Sequence, residues 1–324
     1  MTAPRPLRVS FCCADTQADP WLVALRGALP EADITLWQPG APPADYAVVW
    51  APPQQFFDEQ TALRAVFNTG AGVDALLRLR IAPSVQIVRL DDAGMGAQMA
   101  EYVCHALLGH LREMDAYAAQ QQAGQWHPRA PLDRQDFPVG ILGLGVLGQQ
   151  VAQAVAQFGF PLNGWSRSPR PSGTPEGQGG QGGLKSLRCF AGAAELDAFL
   201  AASRVLVCLL PLTDATRDLL DLRRLRLLRP GGVVINVARG ALVVDEALLE
   251  LLDSGHLASA VLDVFRTEPL PAGHPFWKHP KIALTPHISA RTLLGPSVQQ
   301  IAAKLRCVEA GQPVPGTVDR QRGY

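Results

Sequence analysis

Neither sign of charge is in excess in this 324-residue chain: 29 lysines and arginines balance 29 aspartates and glutamates, and only 18% of the residues are charged. A nucleic-acid-binding protein offsets phosphate charge with a basic surplus, and a disordered chain combines low hydrophobicity with high net charge; with 48% hydrophobic residues neither class fits. Long apolar runs are lacking too. The longest, residues 205–212, has the length of a strand and contains Pro211, well short of the roughly 20 residues needed to span a bilayer. Near the N-terminus Arg5 and Arg8 precede an apolar stretch that is short and is cut by Asp15, a poor secretory signal. A cytoplasmic protein with neither nucleic-acid nor membrane partners is the expectation.

Metal-ligand spacing is missing as well. Cys12, Cys13, Cys104, Cys189, Cys208 and Cys307 are scattered in apolar surroundings, and the histidines form no HExxH or comparable pair, so no metal site is expected. The thiols read as reduced core residues.

What is present is alternation. Short β-branched runs at 7–13, 33–37, 46–50, 64–68 and 85–90 are interleaved with helical stretches, a pattern that argues for a parallel sheet. From 96 to 122 the apolar residues Met99, Tyr102, Val103, Ala106, Leu107, Leu111, Met114 and Tyr117 recur at helical spacing with no proline among them, which predicts one long helix. A second alternating series runs from Val139 to about Thr285, and a last helix is expected over 295–310. The chain is longer than one core comfortably fills, so two α/β domains are expected. Residues 169–183, rich in proline, glycine and glutamine, read as a mobile surface loop.

The chemistry starts at Val139. An apolar strand leads directly into Gly143-Leu144-Gly145-Val146-Leu147-Gly148, a G-x-G-x-x-G turn. A helix follows, with Leu147, Val151, Ala154, Val155 and Phe158 on one face, and then a strand over 161–165. In such a β-α-β unit Gly143 permits the tight turn, Gly145 lets the backbone approach a diphosphate, Gly148 allows close helix-strand packing, and amides at the helix start bind the anion. An NAD-specific site places a carboxylate at the end of the second strand. This chain has Ser166-Arg167-Ser168 there, donors suited to a 2′-phosphate, so NADP(H) is favoured and NAD(H) is the other candidate.

Three further strand ends carry titratable groups: Arg239 after 233–237, Glu268 beyond 260–265 and His287 after 281–285. Ligands bind at the carboxyl ends of strands in such sheets. The trio suits reduction of a 2-oxo acid. His287 would donate a proton to the carbonyl oxygen, Glu268 would orient the imidazole and favour its charged form, and Arg239 would grip the substrate carboxylate and polarise the carbonyl.

In their order, segments 70–74 (GAGVD), 94–102 (GMGAQMAEY), the glycine turn, 165–168 (WSRS), 238–240 (ARG), 262–265 (LDVF), Glu268-Pro269, Thr285-Pro286-His287 and 318–324 (VDRQRGY) resemble the D-isomer-specific 2-hydroxyacid dehydrogenase family across essentially the whole chain. The resemblance implies an α/β fold of two Rossmann-like parallel-sheet domains. An NAD(P)-binding domain, 101–290, is inserted into a flavodoxin-like substrate domain, 1–100 plus 291–324, with the active site in the cleft. It implies an enzyme that reduces glyoxylate to glycolate and hydroxypyruvate to D-glycerate with NADPH. It also implies substrate contacts from Trp50, Ala71, Gly72, Arg239 and Trp126, the last on an arm reaching a partner subunit of a homodimer. Around the cofactor it places Met95, the turn with Val146 and Leu147, residues 166–168, Leu210, Pro211, Thr216, Val237, Ala238, Arg239 and His287, with Asp263 accepting a hydrogen bond from the nicotinamide amide. Two other uses of the fold stand beside this one: a dehydrogenase for a bulkier D-2-hydroxy acid, and a dinucleotide-sensing corepressor or scaffold.

Overall fold

The computed structural model describes residues 6–14, 16–169 and 187–324; most of the proline- and glycine-rich segment read above as a loop lies outside them. The chain divides into two compact units, one built from Met1–Met95 with Thr292–Tyr324 and the other from Gly96–Arg291, so the second is an insertion in the first. Both are parallel-sheet α/β units.

The first unit has five strands: β1 (Leu7–Cys13), β2 (Ala32–Leu36), β3 (Tyr46–Trp50), β4 (Ala65–Asn68) and β5 (Gln86–Arg89). They lie in the order β2-β1-β3-β4-β5, all parallel, which is the flavodoxin-like winding. Helices α1 (Ala18–Ala28) and α2 (Gln54–Glu59) follow β1 and β3. The chain's final helix, α9 (Leu294–Glu309), packs on α1, and several polar ties bind the returning segment to the sheet. Lys304, buried, donates to the Asp91 carboxylate at 2.8 Å. The Val318 amide bonds the Ile87 carbonyl, and the Arg320 guanidinium gathers the carbonyls of Ile81, Ala82 and Val85.

The second unit begins one residue into α3 (Met95–Leu111), which α4 (Met114–Gln122) follows, where the spacing predicts one long helix. The break falls at Glu113, whose φ is +51° and whose carboxylate is tied to Arg129 at 2.7 Å. The break thus falls at a side-chain-bearing residue in the left-handed region, with neither proline nor glycine at the junction. Beyond it come β6 (Val139–Leu142), α5 (Val146–Ala156), β7 (Leu162–Ser166), β8 (Leu187–Ala191), α6 (Gly192–Ala202), β9 (Val205–Cys208), α7 (Leu222–Leu225), β10 (Gly232–Asn236), α8 (Asp245–Asp253), β11 (Leu257–Leu262) and β12 (Ile282–Leu284).

The seven parallel strands run β12-β11-β10-β9-β6-β7-β8. Winding reverses between β6 and β9, and the crevice at such a switch point is where doubly wound sheets take ligands. Period-two alternation sorts the strands onto two layers. Val205, Val207, Val233 and Ile235 face Val103, Leu107, Val151 and Val155 of α3 and α5, while Leu206, Cys208 and Val234 face Phe199, Leu248 and Leu251 of α6 and α8. The buried stripe of α5 is Gly148, Val151, Ala152 and Val155. Phe158 lies past the helix end and is exposed, so it is not part of the face on which spacing placed it.

All six cysteines are free, but only Cys12 and Cys208 are fully buried. Burial raises the Cys12 thiol to about 11 and the Cys208 thiol to about 12, so neither is a ready nucleophile. Among the described residues no helix is long and apolar enough to cross a membrane.

Candidate active site

The glycine turn sits at the switch point, between β6 and α5. Gly143 has φ +117°, which a side chain rarely adopts, and a Cβ there would stand 2.9 Å from the Leu209 carbonyl. A Cβ on Gly148 would run into the carbonyl oxygen of Gly143. These two glycines are required by the protein's own packing. Gly145 differs: nothing lies within 4 Å of where its Cβ would be, and it caps the eleven-residue α5 with no side chain bonded to the helix's first amides. Open space over uncapped amides fits a diphosphate. Val146 is exposed beside it and Leu147 half-buried.

At the end of β7, Ser166 donates to the Ser168 carbonyl at 2.8 Å and Arg167 is exposed, so the guanidinium stands at the strand's carboxyl end where a ribose phosphate is read in such folds. Leu210 is buried against the turn, and Thr216 staples the loop after β9 by donating to the Pro211 carbonyl at 2.7 Å while accepting from the Thr213 amide at 2.8 Å. Val237 and Ala238 are buried just past β10, and Met95 is buried at the start of α3. The residues present therefore fit a dinucleotide.

The catalytic candidates come from three neighbouring strands. Nδ1 of His287 donates to Oε2 of Glu268 at 2.7 Å, and the other oxygen of Glu268 accepts the Phe265 amide at 2.9 Å. Half-burial works against the Glu268 charge. The bonds from His287 and Phe265, with the charges of protonated His287 and of Arg239, outweigh it and hold the carboxyl below its usual 4.5. Arg239 donates to the Ala238 carbonyl at 2.7 Å. The turn that carries it is wedged against the backbone of Phe265 and Arg266, which fills the place a Cβ on Gly240 would take. Arg239 and the Glu268 loop are thereby held in fixed relation.

Residues that pattern reading passed over hold this site in shape. Asn236, the last residue of β10, is 1% exposed; its side chain donates to the Arg239 carbonyl at 3.0 Å and accepts from the Ala238 amide at 3.1 Å. His287 has φ +54°, a left-handed conformation that a side-chain-bearing residue keeps only where its surroundings over-determine it. Asp263 does so. Its carbonyl accepts the His287 amide at 2.9 Å, and its carboxylate, fully buried, accepts the amides of Ile288 and Ser289, each at 2.8 Å, and the Thr285 hydroxyl at 2.6 Å. The partners of Asp263 here are thus the protein's own loop, a use the expectation of a nicotinamide contact did not include. A polar residue closing an apolar strand was the available signal for Asn236.

In the first unit the matching turn follows β4. Asn68 donates to the carbonyls of Gly70 and Gly72, both at 3.0 Å, so the turn through Ala71 is braced from below. The Trp50 ring lies against Gly70, occupying the space a Cβ would need. Trp126 stands 99% exposed on the arm after α4. Among the described residues no group of three or more His, Cys, Asp or Glu is placed to hold a metal ion.

Residues 104–289 match the family model described as "D-isomer specific 2-hydroxyacid dehydrogenase, NAD binding domain". A protein of Serratia proteamaculans named glyoxylate/hydroxypyruvate reductase A is 43% identical over 314 residues, covering 95% of this chain and 96% of its own. Among solved structures, a D-isomer specific 2-hydroxyacid dehydrogenase from Xanthobacter autotrophicus Py2 in complex with NADPH and MES aligns with TM-score 0.90 and 38% identity, over 99% of this chain and 100% of that one. An NADPH-dependent glyoxylate/hydroxypyruvate reductase from Sinorhizobium meliloti in complex with NADP and sulfate aligns with TM-score 0.89 and 34% identity, over 98% and 100%. With its glycine turn and its histidine-glutamate pair at strand ends, and with relatives that cover nearly its full length, this chain belongs to the D-isomer specific 2-hydroxyacid dehydrogenase family.

Proposed function

We propose that the protein is an NADPH-dependent reductase that converts glyoxylate to glycolate and hydroxypyruvate to D-glycerate. The observation that carries the reading is the 2.7 Å bond between His287 and Glu268. With Nδ1 spent on a carboxylate, Nε2 is the ring nitrogen left to face a substrate, and the pair can hold and release one proton there.

In this reading a bound reduced nicotinamide would be the source of the hydride for the carbonyl carbon. Nε2 of protonated His287 gives its proton to the carbonyl oxygen as negative charge develops on it. Glu268 fixes the imidazole plane through its bond to Nδ1. Arg239 holds the substrate carboxylate with a guanidinium fork; within the first unit, the amides of Ala71 and Gly72 and the Trp50 ring are its substrate-binding groups in this reading. The unit carrying the glycine turn is the cofactor domain and the unit built from both chain ends is the substrate domain. Gly143, Gly145 and Gly148 with the amides of Val146 and Leu147 receive the diphosphate; Ser166, Arg167 and Ser168 receive the 2′-phosphate. Met95, Leu210, Pro211, Thr216, Val237 and Ala238 border the cofactor.

Exposed Met114 and Tyr117 on α4, with Trp126 and Leu132 on the arm after it, offer apolar side chains that a second copy of this chain would cover, giving a homodimer. A cytoplasmic location goes with this reading, since NADPH is a reductant available there.

The test is oxidation of NADPH and of NADH by the purified protein with glyoxylate and with hydroxypyruvate. NADPH is expected to be consumed with both acids. In His287→Ala, turnover is expected to fall by about 100-fold or more, the range for losing a general acid, with NADPH binding kept. Unchanged turnover in that variant removes His287 from the chemistry, and tight NADPH binding without turnover of either acid removes the reductase reading.

A further inference from the structure

We propose that Tyr102 and Thr285 are positioning residues for His287, joined in a hydrogen-bonded line that runs from the Tyr102 hydroxyl through the Thr285 hydroxyl to the Asp263 carboxylate. The inference rests on His287 being the proton donor of the proposed reductase.

The direction of the line follows from counting hydrogens. A carboxylate has none to give, so at 2.6 Å the Thr285 hydroxyl donates to Asp263. That spends the only hydrogen Thr285 has, and the 2.6 Å contact between Thr285 and Tyr102 must be a donation from tyrosine. Burial, reinforced by the Asp263 charge and opposed by the Thr285 bond, holds the Tyr102 phenol above its ordinary pKa, so it keeps its hydrogen at neutral pH.

Both ends of the line are fixed. Tyr102 belongs to α3 and packs against the core that Val103 and Leu107 share with β6, β9 and β10. Asp263 follows β11 and is fully buried. Between them, Thr285 sets the rotation of a carboxylate whose two oxygens also hold the amides of Ile288 and Ser289. Those amides, with the His287 amide on the Asp263 carbonyl, keep His287 at its positive φ. Rotating the carboxylate moves the residue that bears the imidazole. Glu268 orients the ring from one side and this line orients the backbone beneath it. A displacement near 1 Å at a reacting group is enough to cost about 100-fold in rate.

The experiment compares Thr285→Val, Thr285→Ser, Tyr102→Phe and His287→Ala in the full-length protein. NADPH-binding sites are counted by fluorescence titration, and kcat per site and its solvent deuterium isotope effect are measured with glyoxylate. Thr285→Val is expected to lower kcat per site about tenfold or more with NADPH affinity unchanged, and to raise the isotope effect as proton transfer becomes limiting. Thr285→Ser should recover the loss, and Tyr102→Phe should show a loss of about threefold in the same direction, as removal of one outer hydrogen bond allows. A general loss of folded protein would reduce the number of sites and leave both per-site quantities alone. Wild-type kcat and isotope effect in Thr285→Val, or failure of serine to restore them, overturns the proposal. If the valine variant does not fold, Tyr102→Phe carries the same test. Turnover surviving in His287→Ala overturns the proton-donor reading itself, whereas an inactive His287→Ala beside unaltered Thr285 and Tyr102 variants overturns the positioning line alone.

Discussion

In the first unit Asn68 closes β4 and turns its side chain onto the carbonyls of Gly70 and Gly72; in the second, Asn236 closes β10 and bonds both the Arg239 carbonyl and the Ala238 amide. Each asparagine is nearly inaccessible, at 2% and 1% exposure, and each stands at the end of a strand interior to its sheet. The same side chain thus shapes the outgoing turn twice. What the two turns offer is different. Residues 70–72 bring no charged side chain, so their chemistry is that of backbone donors. Residues 237–240 carry Arg239 and lean on the loop that bears Glu268. A buried amide at a strand end is a general way to stiffen a turn, and the residues inserted after it decide whether the turn presents backbone or side chain.

Removing the two asparagines tests how far the likeness extends. Asn68→Ala and Asn236→Ala should each destabilise their unit by about 1–3 kcal/mol, the cost of leaving buried carbonyls unpaired, measurable by urea unfolding. Their kinetics should part. Asn236→Ala is expected to lower kcat, because it loosens Arg239 relative to Glu268. Asn68→Ala is expected to raise KM for glyoxylate with little change in kcat, because it blurs amides proposed above to bind the substrate carboxylate in ground and transition state alike. Equal kinetic signatures would break the contrast between the turns.

A smaller effect is expected at the β7 terminus, where the presented group is a charged side chain, Arg167, proposed above to receive the 2′-phosphate. Arg167→Asp should weaken NADPH relative to NADH by about tenfold, the order of one charge-assisted contact, read as the ratio of their dissociation constants. An unchanged ratio would mean that the phosphate is recognised elsewhere. The smallest effect concerns Glu268. Its folded pKa is depressed, so its stabilising contribution is present above its usual 4.5 and is lost as pH falls through the folded value. Stability of Glu268→Gln and of the parent should therefore differ near neutral pH and converge in acid, by thermal unfolding from pH 7 to pH 3. A gap that widens in acid would reverse the sign assigned to the pair.

Much of this architecture is legible in the residues. Strands β1 and β3 stand where β-branched runs place them, and the glycine turn, Arg239, Glu268 and His287 all fall at strand ends. What escaped has a common cause. Glu113 interrupts a helical stripe unbroken by proline, and its carboxylate is bonded to Arg129, sixteen residues on. Tyr102 fits that same apolar stripe by its ring, and nothing local announces that its hydroxyl serves Thr285, 183 residues away. Asp263 is read by resemblance as a cofactor contact, and nothing local announces that its carboxylate also bonds Thr285, Ile288 and Ser289. Periodicity reports which face of an element is apolar. It is silent about a polar atom whose partner is distant in the chain.

The insertion of one unit within the other also sets an order of events during synthesis. Gly96–Arg291 is contiguous, and a ribosome delivers all of its strands before the segment that completes the first unit. The opening strands, made earliest, must wait for Lys304 to reach Asp91, for Val318 to reach Ile87 and for Arg320 to gather the carbonyls of Ile81, Ala82 and Val85. The part of the molecule that is made first is therefore the last to be completed.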